Sequence, residues 1–298
     1  MTSVPIEAID PPFIVLEPQG RRVPFVFNVP HSGDVYPESF ISGSRLDELT
    51  LRRSEDAFVD KLFQGMANLG ASVLSARFPR AYLDVNREPY ELEPRLLEGK
   101  LPAYANTRSP RVAGGLGTIP RVVAEGYEIY PGKIPVEEAL ARIEMLYRPY
   151  HAALRSLLDR TVAAFGYAIL IDCHSMPSVG LSMSETGSRP DVVFGDRFGT
   201  SCALPLVDMI DFFFGNKGYS TERNKPYAGG FITEYYGDPA TGRHALQIEL
   251  NRALYMDEER IEPLVGFNHI TDDLIAIFSQ VIEVVCDGGF YNRPLAAE

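Results

Sequence analysis

The run Tyr167-Ala168-Ile169-Leu170-Ile171-Asp172-Cys173-His174-Ser175 sets the architecture of the chain. Following Gly166, residues Ala168 to Asp172 read as a short apolar strand. Continuous hydrophobicity along a strand marks a sheet covered on both faces, as in α/β proteins. The strand ends in a polar, metal-capable quartet, Asp172-Cys173-His174-Ser175. In open α/β sheets ligands bind outside the carboxyl ends of the strands, so the quartet stands where chemistry belongs. Pro24–Gly33 repeats the arrangement, with Phe25 to Val29 apolar and His31-Ser32-Gly33 behind it. In a chain with five histidines, two strands that each deliver His-Ser make His31 and His174 the first candidate metal ligands. Neutral imidazole is the commonest protein metal ligand, and a catalytic zinc usually takes three protein ligands and a water.

Composition narrows the class. The 298 residues are 45% hydrophobic and 23% charged, ordinary for a soluble enzyme. A net charge of −12 without a basic stripe argues against nucleic acid, while a few arginines can still form a local site for a small anion. Cys173, Cys202 and Cys286 suggest no disulfide framework. Met1 to Asp10 lacks the basic and apolar parts of a signal peptide, and no apolar stretch is long enough to span a bilayer. A cytoplasmic protein with no membrane partner is expected.

The expected fold is α/β. A mostly parallel or mixed central sheet is flanked by helices, in one domain over residues 1–298. Residues 1–22 read as a polar surface arm. A helix is expected from Ser54-Glu55-Asp56 to Gly70, then a strand Ala71–Ala76 and a short extended run Tyr82–Arg87. Residues 88–135, rich in Gly, Pro and Arg, read as an irregular loop or lid. The run Gly114-Gly115-Leu116-Gly117-Thr118 within it lacks the strand and the Lys-Ser/Thr of a phosphate loop. Val136 to Phe165 is the clearest helix, with a kink expected at Pro149. Strands follow at Val192–Phe194, Phe231–Thr233 and His244–Leu250, with a helix at Leu204–Phe214 and a last one from about Ile261 to Val285.

Two histidines need a third ligand, and a carboxylate is the usual partner. Asp34 would give His-x-x-Asp, whereas Glu55 and Asp56 sit where a first helical turn favours acidic side chains in any case. In the strand His244–Leu250, Glu249 is costly to bury unless paired or functional. Beside a metal it is the candidate general base; a salt bridge to Arg252 is the structural alternative. Arginine's planar fork matches a carboxylate, and an adjacent amide adds a hydrogen bond. Arg87 and Asn86 are therefore candidate substrate contacts, with Arg77 and Arg80 upstream. Gly229-Gly230 allows close approach of backbone to a ligand, and Thr233 at the end of that loop is a further contact candidate. His151 reads as a packed core histidine; His244 and His269 have no partner motif.

Asn28-Val29-Pro30-His31-Ser32-Gly33, Asp56 with Val59-Asp60, Asp84-Val85-Asn86-Arg87, Tyr147-Arg148-Pro149-Tyr150-His151, Asp172-Cys173-His174-Ser175, Gly229-Gly230-Phe231-Ile232-Thr233 and Gln247-Ile248-Glu249 together resemble the N-formylglutamate amidohydrolase family, in order from about residue 24 to 256. That family is similar in fold to zinc carboxypeptidases and cell-wall amidases, so the resemblance implies a zinc-peptidase-like (phosphorylase/hydrolase-like) fold. The resemblance implies one Zn²⁺ on His31, Asp56 and His174, with Asp56 preferred over Asp34. It also implies Glu249 as base and Arg87, helped by Asn86, on the substrate carboxylate. The implied reaction is hydrolysis of N-formyl-L-glutamate. The alternatives are another N-acyl-amino-acid deacylase or carboxypeptidase, or a non-catalytic binder of acidic amino acids. Where histidine-pathway members have Thr-Asp-Trp, this chain has Glu55-Asp56-Ala57, and their tyrosine-rich insert is matched only loosely by Tyr127–Lys133.

Overall fold

The two histidine-bearing strands lie side by side. In a computed structural model describing residues 7–123, 126–178 and 190–288, β1 (Phe13–Leu16), β2 (Phe25–Val29), β3 (Ser72–Ala76), β4 (Ala168–Met176), β5 (Val192–Gly195), β6 (Thr221–Arg223) and β7 (Arg243–Asn251) form one sheet. Its order is β1-β3-β2-β4-β7-β5-β6. The central strands β3, β2, β4 and β7 are parallel, while β1 runs antiparallel to β3 and β5 antiparallel to β7. The sheet is thus mixed, as expected.

Alternation sorts the side chains. On one face Phe25, Phe27, Ile169, Ile171 and Ile248 pack against α1 (Val59–Phe63), which follows β2, and against two helices later in the chain. On the other face Val26, Leu74, Leu170 and Ala245 meet Tyr150, Leu154, Leu157 and Leu158 of α2 (Arg148–Phe165). The later helices are α3 (Leu204–Asn216) and α5 (Phe267–Cys286), separated in the chain by a short α4 (Phe231–Tyr236). Toward the carboxyl ends of the strands the α2-side face turns polar. Asn28, Asp172 and Gln247 lie in one row across β2, β4 and β7, and His174 and Glu249 in the next pair.

Several elements differ from expectation for local reasons. Strand β4 does not stop at Asp172, because the equally long β7 pairs with it residue by residue to Met176. The helix expected from Ser54 starts late: Phe58 takes a left-handed conformation (φ 67°) before α1, and Asp56 stands outside the helix with its amide on the His31 carbonyl at 3.0 Å. A 3₁₀ segment, Gln64–Leu69, completes that stretch. Residues Val136–Phe165 are helical throughout, but the turn Ile143–Tyr147 ahead of Pro149 widens to π geometry, which accommodates the missing amide donor. Tyr82–Arg87 is a series of turns rather than an extended run. Phe231–Thr233, expected as a strand, opens α4 instead, its Ile232 amide donating to Asn86 Oδ1 at 2.8 Å. The last helix begins at Phe267, since Glu262–Pro263 pairs with Met256–Asp257 as a small ladder. The expected surface arm contributes β1 to the sheet edge. No helix among the described residues is long and apolar enough to cross a membrane.

Candidate active site

A cavity of about 540 Å³ opens at the carboxyl ends of β2, β4 and β7, lined by His31, Asp56, His174 and Glu249 among others. His31 follows β2 through Pro30, and Gly33 lets this segment pass against the Arg77–Phe78 backbone. A Cβ at Gly33 would lie 2.2 Å from the Phe78 carbonyl oxygen. His174 projects from β4 itself. Asp56 arrives from the irregular stretch before α1, fastened by its own amide and by the Ser32 hydroxyl, which donates to its carbonyl at 2.7 Å.

These three residues are buried, and each offers a ligand atom within 4.8 Å of the others. Asp56 Oδ2 lies 3.0 Å from His174 Nδ1 and 3.4 Å from His31 Nδ1. His31 Nε2 sits 2.8 Å from Asp84 Oδ1, and His174 Nε2 sits 3.0 Å from Asp172 Oδ2. A carboxylate can only accept, so the Nε2 of each imidazole carries a proton toward its aspartate, and both Nδ1 atoms face Asp56. His174 Nδ1 shares a proton with Asp56 Oδ2, and a cation bound there would replace that proton and take Oδ2 and both Nδ1 lone pairs. Although 3.4 Å from Asp56, buried His31 Nδ1 makes no hydrogen bond. This donor set fits a divalent cation of the zinc type.

The charges of these groups support one another. Burial alone would raise Asp56, yet the two histidines hold its carboxyl well below the ordinary range. Burial would lower His174, but Asp172 and Asp56 raise it well above the ordinary imidazole value. Arg252 donates to Asp56 Oδ1 at 3.0 Å, which leaves Oδ2 to the histidines. Arg252 therefore pairs with Asp56 and makes no salt bridge with Glu249. Glu249 accepts from Gln247 Nε2 at 2.8 Å, and burial pushes its carboxyl up to about 7.

The remaining candidates divide. Asp34 is exposed. Glu55 is turned to Arg52 at 3.1 Å and to the Tyr36 hydroxyl at 2.7 Å. Arg80 and Arg87 line the cavity, with Nε atoms 3.0 and 3.6 Å from Asp84 Oδ2. Asn86 also reaches the wall, its Nδ2 3.2 Å from His174 Nε2 and its Oδ1 engaged by Ile232. Thr233 is fully buried and is not among the residues lining the cavity. His151 is a packed histidine, bonded to the Tyr236 hydroxyl and the Val85 carbonyl, both at 2.9 Å.

Two supporting carboxylates went unassigned in the sequence. Asp172 had a signal, since a residue two before His174 on a strand shares its face. Asp84 had none, because the partner it holds, His31, is distant in the chain. Arg111 and Arg252, both lining the cavity, carried no motif.

Fold and site define a class: a mixed-sheet α/β protein, its polar groups gathered where the parallel strands end. Comparison with known proteins narrows it. The N-formylglutamate amidohydrolase family profile matches residues 23–256. The chain is 30% identical over 271 residues to the N-formylglutamate deformylase of Pseudomonas putida, covering 90% of this chain and 94% of that one. It is also 30% identical over 248 residues to the Pseudomonas aeruginosa deformylase, covering 82% and 86% respectively. The crystal structure of N-formylglutamate amidohydrolase from Ralstonia eutropha JMP134 is similar at a TM-score of 0.88 and 36% identity, covering 93% of this chain and 99% of that one. The chain belongs to the N-formylglutamate amidohydrolase family.

Proposed function

We propose that the protein hydrolyses N-formyl-L-glutamate to L-glutamate and formate, with a divalent cation, zinc foremost, held by His31, Asp56 and His174. The observation that carries this reading is the convergence of those three potential ligands beside Glu249, on the next strand over. A cation there supplies Lewis acidity toward the carbonyl and acidifies water. Asp84 and Asp172 fix the tautomer of each histidine. Glu249 takes the proton from water as its oxygen bonds to the formyl carbon. It then delivers that proton to the amide nitrogen as the C–N bond breaks. Arg87 and Arg80 supply the positive charge that holds and orients the substrate carboxylate.

The test is formate release by the purified protein, comparing N-formyl-L-glutamate with N-acetyl-L-glutamate. Faster release of formate than of acetate is expected. Preference for the acetyl compound would move the reading to another deacylase, and no turnover of any N-acyl amino acid would favour a binding protein.

A further inference from the structure

Arg53, Arg80, Arg87, Arg111 and Arg252 line the cavity. Three have carboxylate neighbours: Arg80 and Arg87 share Asp84, and Arg252 holds Asp56. Arg53 is exposed, its guanidinium 6.0 Å over the Tyr127 ring. Arg111 is half-buried, and among the described residues it forms no ion pair with an acidic side chain.

Its placement is built rather than incidental. Ser109 caps the short helix Pro110–Ala113, its Oγ accepting from the Val112 amide at 3.1 Å. The Arg111 carbonyl accepts from the Leu116 amide at 2.8 Å, and the Leu116 carbonyl accepts from Arg87 Nε at 2.9 Å. Thr118 accepts from the Asp84 amide and donates to the Glu91 carbonyl, both at 2.9 Å. At Gly117 a Cβ would lie 2.2 Å from the Glu91 carbonyl oxygen, so the loop closes on that segment only with glycine. Arg111 is therefore fastened to the same Asp84–Glu91 segment that carries Arg87. Besides burial, Arg80 and Arg111 press the Arg87 guanidinium down, to about 10, against the opposing pull of Asp84. Guanidinium groups gathered around a single carboxylate leave positive charge for a ligand to neutralise.

We propose that Arg111 is a specificity-determining residue whose guanidinium takes the side-chain carboxylate of an N-acyl acidic amino acid, while Arg87 takes the α-carboxylate. The inference rests on the proposed reaction, and it locates selectivity for an acidic side chain in residues 109–118. L-glutamate and L-glutamine have nearly the same shape and differ in charge at the position assigned to Arg111.

The experiment is calorimetric binding of both amino acids to the zinc-loaded protein, with KM for their N-formyl derivatives measured alongside. Arg111→Ala is expected to weaken glutamate binding by about tenfold or more while leaving glutamine within about threefold, the pattern of a lost charge pair. Arg111→Lys should recover part of that loss, and Arg87→Ala should weaken both ligands. Equal weakening of both ligands by Arg111→Ala, or of neither, overturns the assignment, as does a wild-type protein that fails to bind glutamate. If neither N-formyl compound releases formate, the proposed reaction falls, and the binding preference still decides the role of Arg111.

Discussion

His174 and Glu249 stand opposite each other on adjacent parallel strands, in register across β4 and β7. Residues paired this way point to the same face of a sheet. A fixed backbone ladder thus sets a buried imidazole beside a buried carboxylate, neither depending on a loop for its position. Glu249→Gln keeps the size and the β7 ladder but cannot accept a proton. It is expected to retain zinc at full stoichiometry and to lose kcat by about a hundredfold or more. Because burial places the Glu249 carboxyl at about 7 and a nearby cation lowers it, wild-type kcat/KM should fall below an apparent pKa at or under about 7 as pH drops. Unchanged turnover in the variant would remove Glu249 from the mechanism.

The sheet was legible because its central strands are buried on both faces and carry their own signal, as in Ile169–Ile171 and Phe25–Phe27. Both histidines could be found because each stands just past such an apolar run. Asp56 could be singled out only through family resemblance. Its approach depends on the left-handed turn at Phe58 and a bond to His31, neither of which periodicity records. Phe231–Ile232–Thr233 misled for a similar reason. β-branched and aromatic residues favour strands, but Gly230 and the Asn86 side chain start a helix there. Arg111 was invisible, since only tertiary hydrogen bonds bring residues 109–118 to the cavity.

Asp84 and Asp172 each hold one histidine through Nε2. Asp84→Asn and Asp172→Asn should lower zinc affinity ten- to a hundredfold. Excess zinc should return part of the activity. Competition with a fluorescent chelator measures the affinity, and an undiminished value would show that neither carboxylate supports the metal centre.

Arg87→Ala should raise KM steeply for substrates bearing an α-carboxylate, by about tenfold or more, with a smaller change in kcat. An uncharged formamide provides the control. Equal damage to its turnover would contradict a carboxylate-holding role and point to disruption of the Leu116 contact.

His151 sets an acid limit on stability. Burial lowers its pKa to about 4, against the partly compensating bond to the Val85 carbonyl. The unfolded chain takes the proton near 6.5, so between about 6.5 and 4 the unfolded state binds more protons and stability falls with pH. The residue's share is about 3 kcal/mol across that window. Urea midpoints measured from pH 7 to pH 4 should decline less steeply in His151→Gln than in the wild type, even if the variant is weaker at pH 7. Parallel slopes would show that His151 is not the titrating group.

The central claim is that a cation on His31, Asp56 and His174 is required for amide hydrolysis. Formate release from N-formyl-L-glutamate should be measured on protein stripped with a chelator and then titrated with zinc. The account predicts that activity vanishes on stripping and returns in step with one zinc per chain. Full activity in protein shown to be free of metal would contradict it.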